Sequence, residues 1–514
     1  MADLSAAGAV PALPRLARSR LPVPGVRRPP LAPVAGIVHL GLGNFHRAHQ
    51  AVYTAEALRH SEGPWGIRGV ATGRGRSSHP VIDGMAQQDE LYTVLTLGHG
   101  QQVAAQVPGV HHPGLLAAQQ APEVVAAIGS DATRIVSLTV TEKGYSLAPD
   151  GRSLDLDDPA VRSDLTGSGD PVTALGLLVR GLQLRLRSHA LPVTLLTCDN
   201  LMDNGGHLRA LLDEFIGALP GPERDDLQAY FAASVSTPST MVDRIVPATT
   251  DEHRALVARC FGVRDTVPVA AEPYRLWVLE DDFRASRPAW EEAGAVFTTD
   301  VAPYELMKLR LLNGAHSLLA YFGLLRGLPR MDQAVSDDLT GAAVRAAMTD
   351  EILPTLTLPD DVNGPSYVDE LLGRFANPAL GHHTAQVGSD GSLKIPVRWA
   401  GAIGENLRAG RVPPVLALGV AAYIRVVTGG PDAYDEAALG TVLDPATARL
   451  RALAAGAGGP AKAARVLVES GGILPEQAAA DAEFTALVAE YATALATPYG
   501  IDAALSEALR AVRR

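Results

Sequence analysis

The sequence predicts an α/β protein, with a parallel sheet in an N-terminal domain and a mostly α-helical C-terminal domain. From Gly36 to about Asp300, short β-rich runs alternate with longer Ala- and Leu-rich stretches, the pattern of parallel strands joined by crossover helices. After Asp300 the β-rich runs almost vanish, and long segments rich in Ala, Leu, Arg and Glu follow. We therefore expect domains over residues 1–298 and 299–514, with residues 1–34 forming an irregular arm.

Charge and cysteine content narrow the class of protein. The formal net charge of -12 disfavours nucleic acid and anionic membranes as partners. Cys198 and Cys260 are the only cysteines, which is too few for a disulfide framework or a four-thiolate metal site. The sequence shows neither a signal peptide nor an uninterrupted apolar run of spanning length. We expect a cytoplasmic protein that acts on a small molecule.

The β-rich runs end in small or polar residues. The runs are residues 37–40, 66–70, 135–140 and 192–197. Because open α/β sheets bind ligands beyond the carboxyl ends of their strands, two following segments are candidate site loops. One contains Thr141, Glu142 and Lys143, which we assign to cofactor binding, and the other contains Asn200.

A glycine motif follows the first run. Gly41 and Gly43 stand between a predicted strand and a predicted helix, followed by Asn44 and Phe45. Gly41 would permit a tight turn and Gly43 a close approach of the backbone to a pyrophosphate. These four residues are the predicted cofactor turn. The third glycine of the usual fingerprint is replaced by His46, so a plain strand-to-helix turn is the alternative.

The second run lacks the acidic residue that usually holds the ribose hydroxyls of NAD. The stretch after it offers groups suited to a 2′-phosphate, namely Arg74, Arg76, Ser77 and Ser78. A solvated basic loop is the other interpretation. The expected cofactor is NAD, with NADP as an alternative.

Residues 304–323 form an apolar segment that carries a few polar side chains. On an α-helix, Asn313 and His316 lie about 140° and 80° round from Lys308, so the three share one side. A lysine in apolar surroundings has a lowered pKa and is suited to act as a general base. Gly314 suggests that a group packs close to the backbone. The alternative is a lysine that reaches the surface beside a core histidine.

Several of these segments together resemble the mannitol dehydrogenase family of polyol-specific dehydrogenases and hexuronate oxidoreductases. The resemblance covers most of residues 36–400 and rests on ordered motifs: HLGLGNFHRAH at 39–49, SLTVTEKGY at 137–145, CDN at 198–200 with NGG at 204–206, MVDRI at 241–245, EPYRLWV at 272–278, KLRLLNGAHS at 308–317 and DGSLKIP at 390–396. It implies a Rossmann-type N-terminal domain and a largely helical C-terminal domain.

The resemblance also implies roles for individual residues. Lys308 would be the general base in a zinc-independent reaction. Asn313 and Asn200 would donate hydrogen bonds to the developing alkoxide, His316 would hold a substrate hydroxyl, and Glu305 would pass protons between Lys308 and solvent. No His/Cys cluster in the sequence has metal-ligand spacing, so no metal is expected.

The substrate is less sharply defined. Family members that oxidise mannitol usually carry an arginine eight positions before a substrate-binding lysine, here Lys394, but Gln386 stands at that position. The surrounding sequence is closer to the fructuronate reductase branch, whose substrate has a carboxylate that Lys394 and one of His382 or His383 could meet. The preferred reaction is D-mannonate to D-fructuronate. Mannitol or arabinitol oxidation and a non-catalytic sugar- and NAD-binding protein are the alternatives, and a monomer is expected.

Overall fold

The structure is a computed structural model that describes residues 13–21, 26–27, 34–60, 62–73, 79–140, 142–167 and 169–513. It consists of two compact units, one ending at Val301 and the other beginning at Ala302. Five predicted residues lie outside the described part: Thr141, Arg74, Arg76, Ser77 and Ser78. The side chains of Glu142 and Lys143 also lie outside it.

The N-terminal unit is built on a six-stranded parallel sheet. Its strands are β1 (Ile37–Leu40), β2 (Ile67–Ala71), β3 (His111–Leu116), β4 (Ile135–Leu138), β5 (Val193–Thr197) and β6 (Val235–Ser236). Their order is β3-β2-β1-β4-β5-β6, which is the order of a Rossmann fold. The chain adds β2 and β3 on one side of β1, and then adds β4, β5 and β6 on its other side. The order of strands therefore reverses between the neighbours β1 and β4, and a ligand site is expected at their carboxyl ends. The predicted α/β class is confirmed.

Strand β3 was not among the predicted runs. Its sequence contains Pro113 and Gly114, which are unfavourable inside a sheet. The strand lies at the edge of the sheet, where it needs only one hydrogen-bonded neighbour and proline is tolerated.

Helices cover the sheet and connect its strands. They are Asn44–Ala48, Gln50–Ala57, Pro80–Ala86, Ala117–Gly129, Pro159–Thr166, Ala174–Ser188, Asn204–Gly217, Glu223–Ser234 and Asp251–Phe261, with 3₁₀ turns at Arg18–Arg20, His99–Gln101, Glu142–Tyr145 and Trp290–Ala293. The crossover helix Ala174–Ser188 begins where the side chain of Thr173 accepts a hydrogen bond from the N–H of Gly176, a standard N-cap. Its apolar face packs on β4 and β5 in the largest buried cluster of this unit.

Two smaller sheets complete the N-terminal unit. One pairs Val26–Arg27, Val103–Gln106, Val94–Leu97 and Val269–Ala271, and the other pairs Thr240–Asp243, Leu276–Glu280 and Val296–Thr298. The segment predicted to be an irregular arm therefore contributes a short strand. Leu16 of the same segment is 1% exposed and lies in a buried cluster with Leu91 and Val257. The described parts of the arm are thus part of the fold.

The helices and turns of the C-terminal unit are joined by loops, and its described residues contain no strand longer than the isolated bridge between Arg330 and His383. Its α-helices are Ala302–Met307, Gly314–Leu325, Met331–Ser336, Asp338–Ala346, Gly364–Phe375, Thr384–Gly388, Gly391–Arg398, Ala400–Arg408, Pro414–Gly429, Glu436–Leu439, Thr447–Ala455, Pro460–Ser470, Glu476–Ala479, Ala482–Ala494 and Gly500–Val512. Segments Lys308–Asn313 and Ala347–Ile352 are π-helical, and Leu353–Thr355, Pro378–Leu380 and Gly430–Asp432 are 3₁₀ turns.

Residues 302–325 form one continuous rod, which we call the central helix. It packs against the buried helix Pro414–Gly429. Among the described residues, the stretch Pro414–Asp432 is long and apolar enough to cross a membrane by length and composition, although the sequence predicted no such stretch. Because 78% of it is buried inside the protein, it is a core helix by the same measure.

Candidate active site

The central helix departs from α-helical geometry at the predicted base. Between Lys308 and Asn313 it is π-helical, and the N–H of Gly314 donates to the carbonyl of Leu309, five residues earlier. A π turn holds one residue more than an α turn. Asn313 and His316 therefore take the places of the fourth and seventh residues after Lys308 in an α-helix, and the three lie within about 60° of one another. In a regular α-helix, these three side chains would spread over about 140° around the axis.

Glu305 lies one turn before Lys308 on the same side of the helix, and its side chain is buried. Lys308 itself is partly buried. The π turn thus gathers four of the five predicted catalytic residues into a single stripe. Such π segments occur frequently at functional sites.

His316 is the predicted substrate-binding residue with the most distinctive surroundings. Its ring stacks on Phe375 with centroids 4.9 Å apart, and the ring of His382 lies 5.8 Å away. Its Nε2 atom is buried and forms no hydrogen bond within the described part of the chain. Burial, with further contributions from His382 and Arg398, holds the pKa of His316 well below its usual value. A neutral imidazole with a free ring nitrogen is suited to bind a hydroxyl.

Arg398 and Trp399 contact the backbone of the central helix at the end of the π turn. Nη1 of Arg398 donates to the carbonyl of Asn313 at 3.2 Å and to Oγ of Ser317 at 2.8 Å. The indole N–H of Trp399 donates to the carbonyl of Gly314 at 3.0 Å. These bonds stabilise the irregular turn. Sequence reasoning missed both residues, because a contact to a backbone carbonyl leaves no motif; the only available signal was that Arg398 follows Lys394 by one helical turn.

The remaining predicted substrate residues lie around helices Thr384–Gly388 and Gly391–Arg398. Nζ of Lys394 donates to the carbonyls of Val387, at 3.2 Å, and Ser389, at 2.6 Å. Burial and the neighbouring Arg398 lower the pKa of Lys394. His383 and Gln386 are exposed, so the structure brings His382 rather than His383 to His316. The charges of His382, Arg398, Arg374 and Lys394 lower the pKa of His316, and the carboxylates of Asp390 and Asp444 act on Lys394.

In the N-terminal unit, the backbone conformation and the surrounding space differ between the two motif glycines. Gly41 has a φ of +108°, and an added Cβ would lie 2.2 Å from the carbonyl oxygen of Thr139. At Gly43 an added Cβ would meet nothing closer than the carbonyl oxygen of Gly41, at 3.7 Å. Protein packing therefore requires a glycine at 41 but not at 43. The open space beside Gly43 fits the close approach of a dinucleotide pyrophosphate.

The residues after the glycine turn have structural partners. Asn44 accepts a hydrogen bond from Arg47 at 2.6 Å and donates to Thr249 at 3.3 Å, and the ring of Phe45 stacks on His49. His46, at the position of the missing third glycine, is 1% exposed and stacks on His39 with centroids 3.5 Å apart. The sequence departs from the glycine fingerprint at this position because the imidazole of His46 packs in the core beside the turn.

At the carboxyl ends of β4 and β5, Asp199 organises the second candidate loop. Its carboxylate accepts hydrogen bonds from the N–H of Val140 at 2.8 Å, from Oγ1 of Thr197 at 2.7 Å and from the hydroxyl of Tyr145. Burial raises the pKa of Asp199 to about 6. The next residue, Asn200, is exposed. Sequence reasoning placed Asp199 in the same candidate loop as Asn200 but assigned a role only to Asn200.

No group of three or more His, Cys, Asp or Glu side chains suited to hold a metal ion occurs among the described residues. The fold and the glycine turn define a dinucleotide-binding protein of the Rossmann class.

Comparison with known proteins narrows this class. Residues 35–292 match the family description "Mannitol dehydrogenase Rossmann domain", and residues 300–492 match "Mannitol dehydrogenase C-terminal domain". The chain is 37% identical to the D-mannonate oxidoreductase of Escherichia coli, covering 88% of this chain and 91% of the relative. It is also 37% identical to the mannitol 2-dehydrogenase of Cereibacter sphaeroides, covering 82% and 85%.

A solved structure, the ternary complex of Pseudomonas fluorescens mannitol 2-dehydrogenase with NAD and D-mannitol, is 33% identical with a TM-score of 0.81, over 96% of this chain and 99% of that one. The chain belongs to the mannitol dehydrogenase family. The predicted family and enzyme class are confirmed: this is an NAD-dependent oxidoreductase that acts on a CH–OH group of a polyol or sugar acid.

Proposed function

We propose that the enzyme interconverts D-mannonate and D-fructuronate with NAD, using Lys308 as its acid/base. The observation that supports a sugar acid is the positive charge around His316. Arg398, Arg374 and Lys394 each lower the pKa of this ring through their positive charge. In a chain of net charge -12, such a concentration of cations suits a substrate carboxylate.

The central helix supplies the groups for the chemistry. Lys308 takes the proton from the C2 hydroxyl, and Asn313, one π turn later, donates a hydrogen bond to the oxygen as negative charge develops on it. His316 binds a neighbouring hydroxyl through its buried Nε2. Glu305 then accepts the proton from Lys308 and passes it to solvent. The family resemblance assigns a second hydrogen bond to the oxygen to Asn200.

The N-terminal unit binds the cofactor. When bound, NAD would supply the hydride acceptor for oxidation of the C2 carbinol to a ketone. Gly41 holds the tight turn at the end of β1, and Gly43 leaves room for the pyrophosphate. Asn44 and Phe45, which begin the helix after the turn, would help to hold the phosphates, and residues 141–143 follow the neighbouring strand β4 in sequence. This pairing of β1 and β4 is the usual dinucleotide position in such sheets.

The experiment that tests the substrate is a panel of mannonate, altronate, mannitol and arabinitol, each with NAD and then with NADP. We expect kcat/KM for mannonate with NAD to exceed that for mannitol by at least about 10-fold, because a charge-assisted hydrogen bond contributes about 1.5–3 kcal/mol. Lys394→Met is the matched variant, since it should reduce turnover of mannonate more than turnover of mannitol. Activity on the polyols alone would overturn the sugar-acid assignment.

The role of Lys308 is tested separately with two variants. Lys308→Ala should lower kcat by about 10²–10⁴-fold with the affinity for NADH unchanged, since it removes only the base. Lys308→Arg keeps the positive charge but cannot release a proton, so it should be equally inactive. Wild-type turnover by Lys308→Ala, measured with the best substrate of the panel, would contradict the mechanism.

A further inference from the structure

Asp199 joins three parts of the N-terminal unit at the ligand edge of the main sheet. One carboxylate oxygen accepts the N–H of Val140, just after β4, and the other accepts the hydroxyls of Thr197, the last residue of β5, and Tyr145. The backbone carbonyl of Asp199 accepts from the side chain of Asn204 at 3.1 Å. The residue is 7% exposed, and both carboxylate oxygens are occupied by protein donors.

The partners of Asp199 lie next to both candidate loops in sequence. Val140 and Tyr145 flank the segment 141–144, which contains the predicted cofactor residues. Asn200, the predicted alkoxide donor, is the residue next to Asp199 in sequence. The side chain of Asn204 also forms two hydrogen bonds with the backbone of Thr240. It donates to the carbonyl and accepts from the N–H, each at 2.9 Å. A single buried carboxylate therefore fixes both flanks of one candidate loop and the base of the other.

We infer that Asp199 is a positioning residue that holds Val140 and Tyr145, on either side of the predicted cofactor loop, in register with Asn200. A carboxylate buried at a strand end costs free energy unless several donors satisfy it. The donors to Asp199 are the last residue of β5 and the two residues on either side of segment 141–144. The inference rests on the proposed roles of these loops in cofactor and alkoxide binding.

The test compares Asp199→Asn with Asp164→Asn. Asp164 is an equally buried carboxylate of the same unit, 3% exposed, and it accepts hydrogen bonds from Val172 and Thr173, outside the predicted site. Both variants should lower the Tm by several degrees. Only Asp199→Asn should also raise the Kd for NADH by about 10-fold and lower kcat at saturating cofactor by about 10-fold, measured with whichever panel substrate the wild-type enzyme oxidises.

A milder variant keeps the test valid if Asp199→Asn fails to fold. Tyr145→Phe removes one donor to the carboxylate and leaves the other two, so we expect the Kd for NADH to rise by about 3-fold with little change in Tm. Asp199→Glu should restore part of the loss. Wild-type Kd and kcat in Asp199→Asn or Tyr145→Phe, or equal losses in Asp164→Asn, would overturn the inference. A failure of the proposed substrate would instead appear in the wild-type panel.

Discussion

The two glycines of the cofactor turn show how one residue type serves two purposes. Gly41 adopts a φ that side chains disfavour and lies against the carbonyl of Thr139, whereas Gly43 faces open space. A methyl group at 41 must strain the backbone and clash, while a methyl group at 43 makes only an ordinary contact with the carbonyl oxygen of Gly41, at 3.7 Å. The sequence motif alone makes the two positions look equivalent.

We therefore expect alanine at the two positions to have different effects, on stability at 41 and on cofactor affinity at 43. Gly41→Ala should lower the free energy of unfolding by about 1–3 kcal/mol, the usual range for forced backbone strain, and reduce cofactor binding with it. Gly43→Ala should leave the Tm within about 2 °C and raise the Kd for NADH by at least about 10-fold, since the pyrophosphate needs close backbone approach. Thermal melts and fluorescence titration with NADH measure both. Normal NADH binding by Gly43→Ala would show that the pyrophosphate lies elsewhere.

Sequence reasoning assigned roles to residues whose polarity is out of place and assigned none to those that contact the backbone. Lys308 and His316 stand out on an apolar segment, so their side chains could be assigned to one face. Arg398 and Asp199 bind backbone carbonyls and N–H groups of segments distant in sequence. Such contacts depend on tertiary packing, which residue spacing does not encode.

At the scale of elements, the main discrepancy is the π turn. The parallel sheet could be predicted because short β-rich runs alternate with longer helical stretches from Gly36 to about Asp300, and the central helix because its apolar segment is long. The extra residue between Lys308 and Asn313 could not, since the end of this turn is bonded to Arg398 and Trp399, which are distant in sequence. The consequence is a tighter cluster of Lys308, Asn313 and His316 than a regular helix allows.

Gly314, just after this turn, tests the packing of the central helix. The sequence suggested that a group packs close to its backbone, and Trp399 does, but an added Cβ would lie 3.5 Å from that ring, an ordinary contact. Gly314→Ala should therefore raise the free energy of unfolding by about 0.5–1 kcal/mol, because glycine is unfavourable inside helices.

The matched control lies on the helix that packs against it. At Gly419 an added Cβ would lie 2.4 Å from Leu318, a fully buried side chain, so Gly419→Ala should lower stability by about 1–3 kcal/mol through overpacking. Urea unfolding of both variants gives the comparison. A destabilised Gly314→Ala would show that the turn has no room for a methyl group.

For the whole molecule, the N-terminal unit has buried histidines beneath its cofactor turn. Nδ1 of His39 is hydrogen-bonded to Ser137 at 2.8 Å, and Nε2 of His46 lies 3.1 Å from Nε2 of His111. Burial lowers the pKa of His39 and of His111 to about 3 and holds that of His46 well below its usual value. The folded protein thus keeps these rings neutral at pH values where the unfolded chain protonates them.

This cluster predicts that acid weakens the fold well before most carboxylates titrate. The unfolded chain takes up a proton at each ring below pH 6.5, while the folded chain resists until about pH 3. The stabilisation is complete above pH 6.5 and is lost as the pH falls towards 3, at about 1.4 kcal/mol per pH unit for each ring. From pH 7.5 to 5.0, one such ring lowers the free energy of unfolding by about 2 kcal/mol.

Buried carboxylates act in the opposite direction, since burial raises the pKa of Asp199 to about 6 and that of Glu351 to about 7. The cluster's contribution is therefore isolated with a variant. His111→Gln should reduce the difference in unfolding free energy between pH 7.5 and 5.0 by about 2 kcal/mol, whereas His60→Gln, at an exposed site, should leave it unchanged. Urea titrations followed by tryptophan fluorescence suit this test, because Trp65, Trp277 and Trp290 all lie in the N-terminal unit. An unaltered pH dependence in His111→Gln would mean that the rings are hydrated or protonated in the folded state.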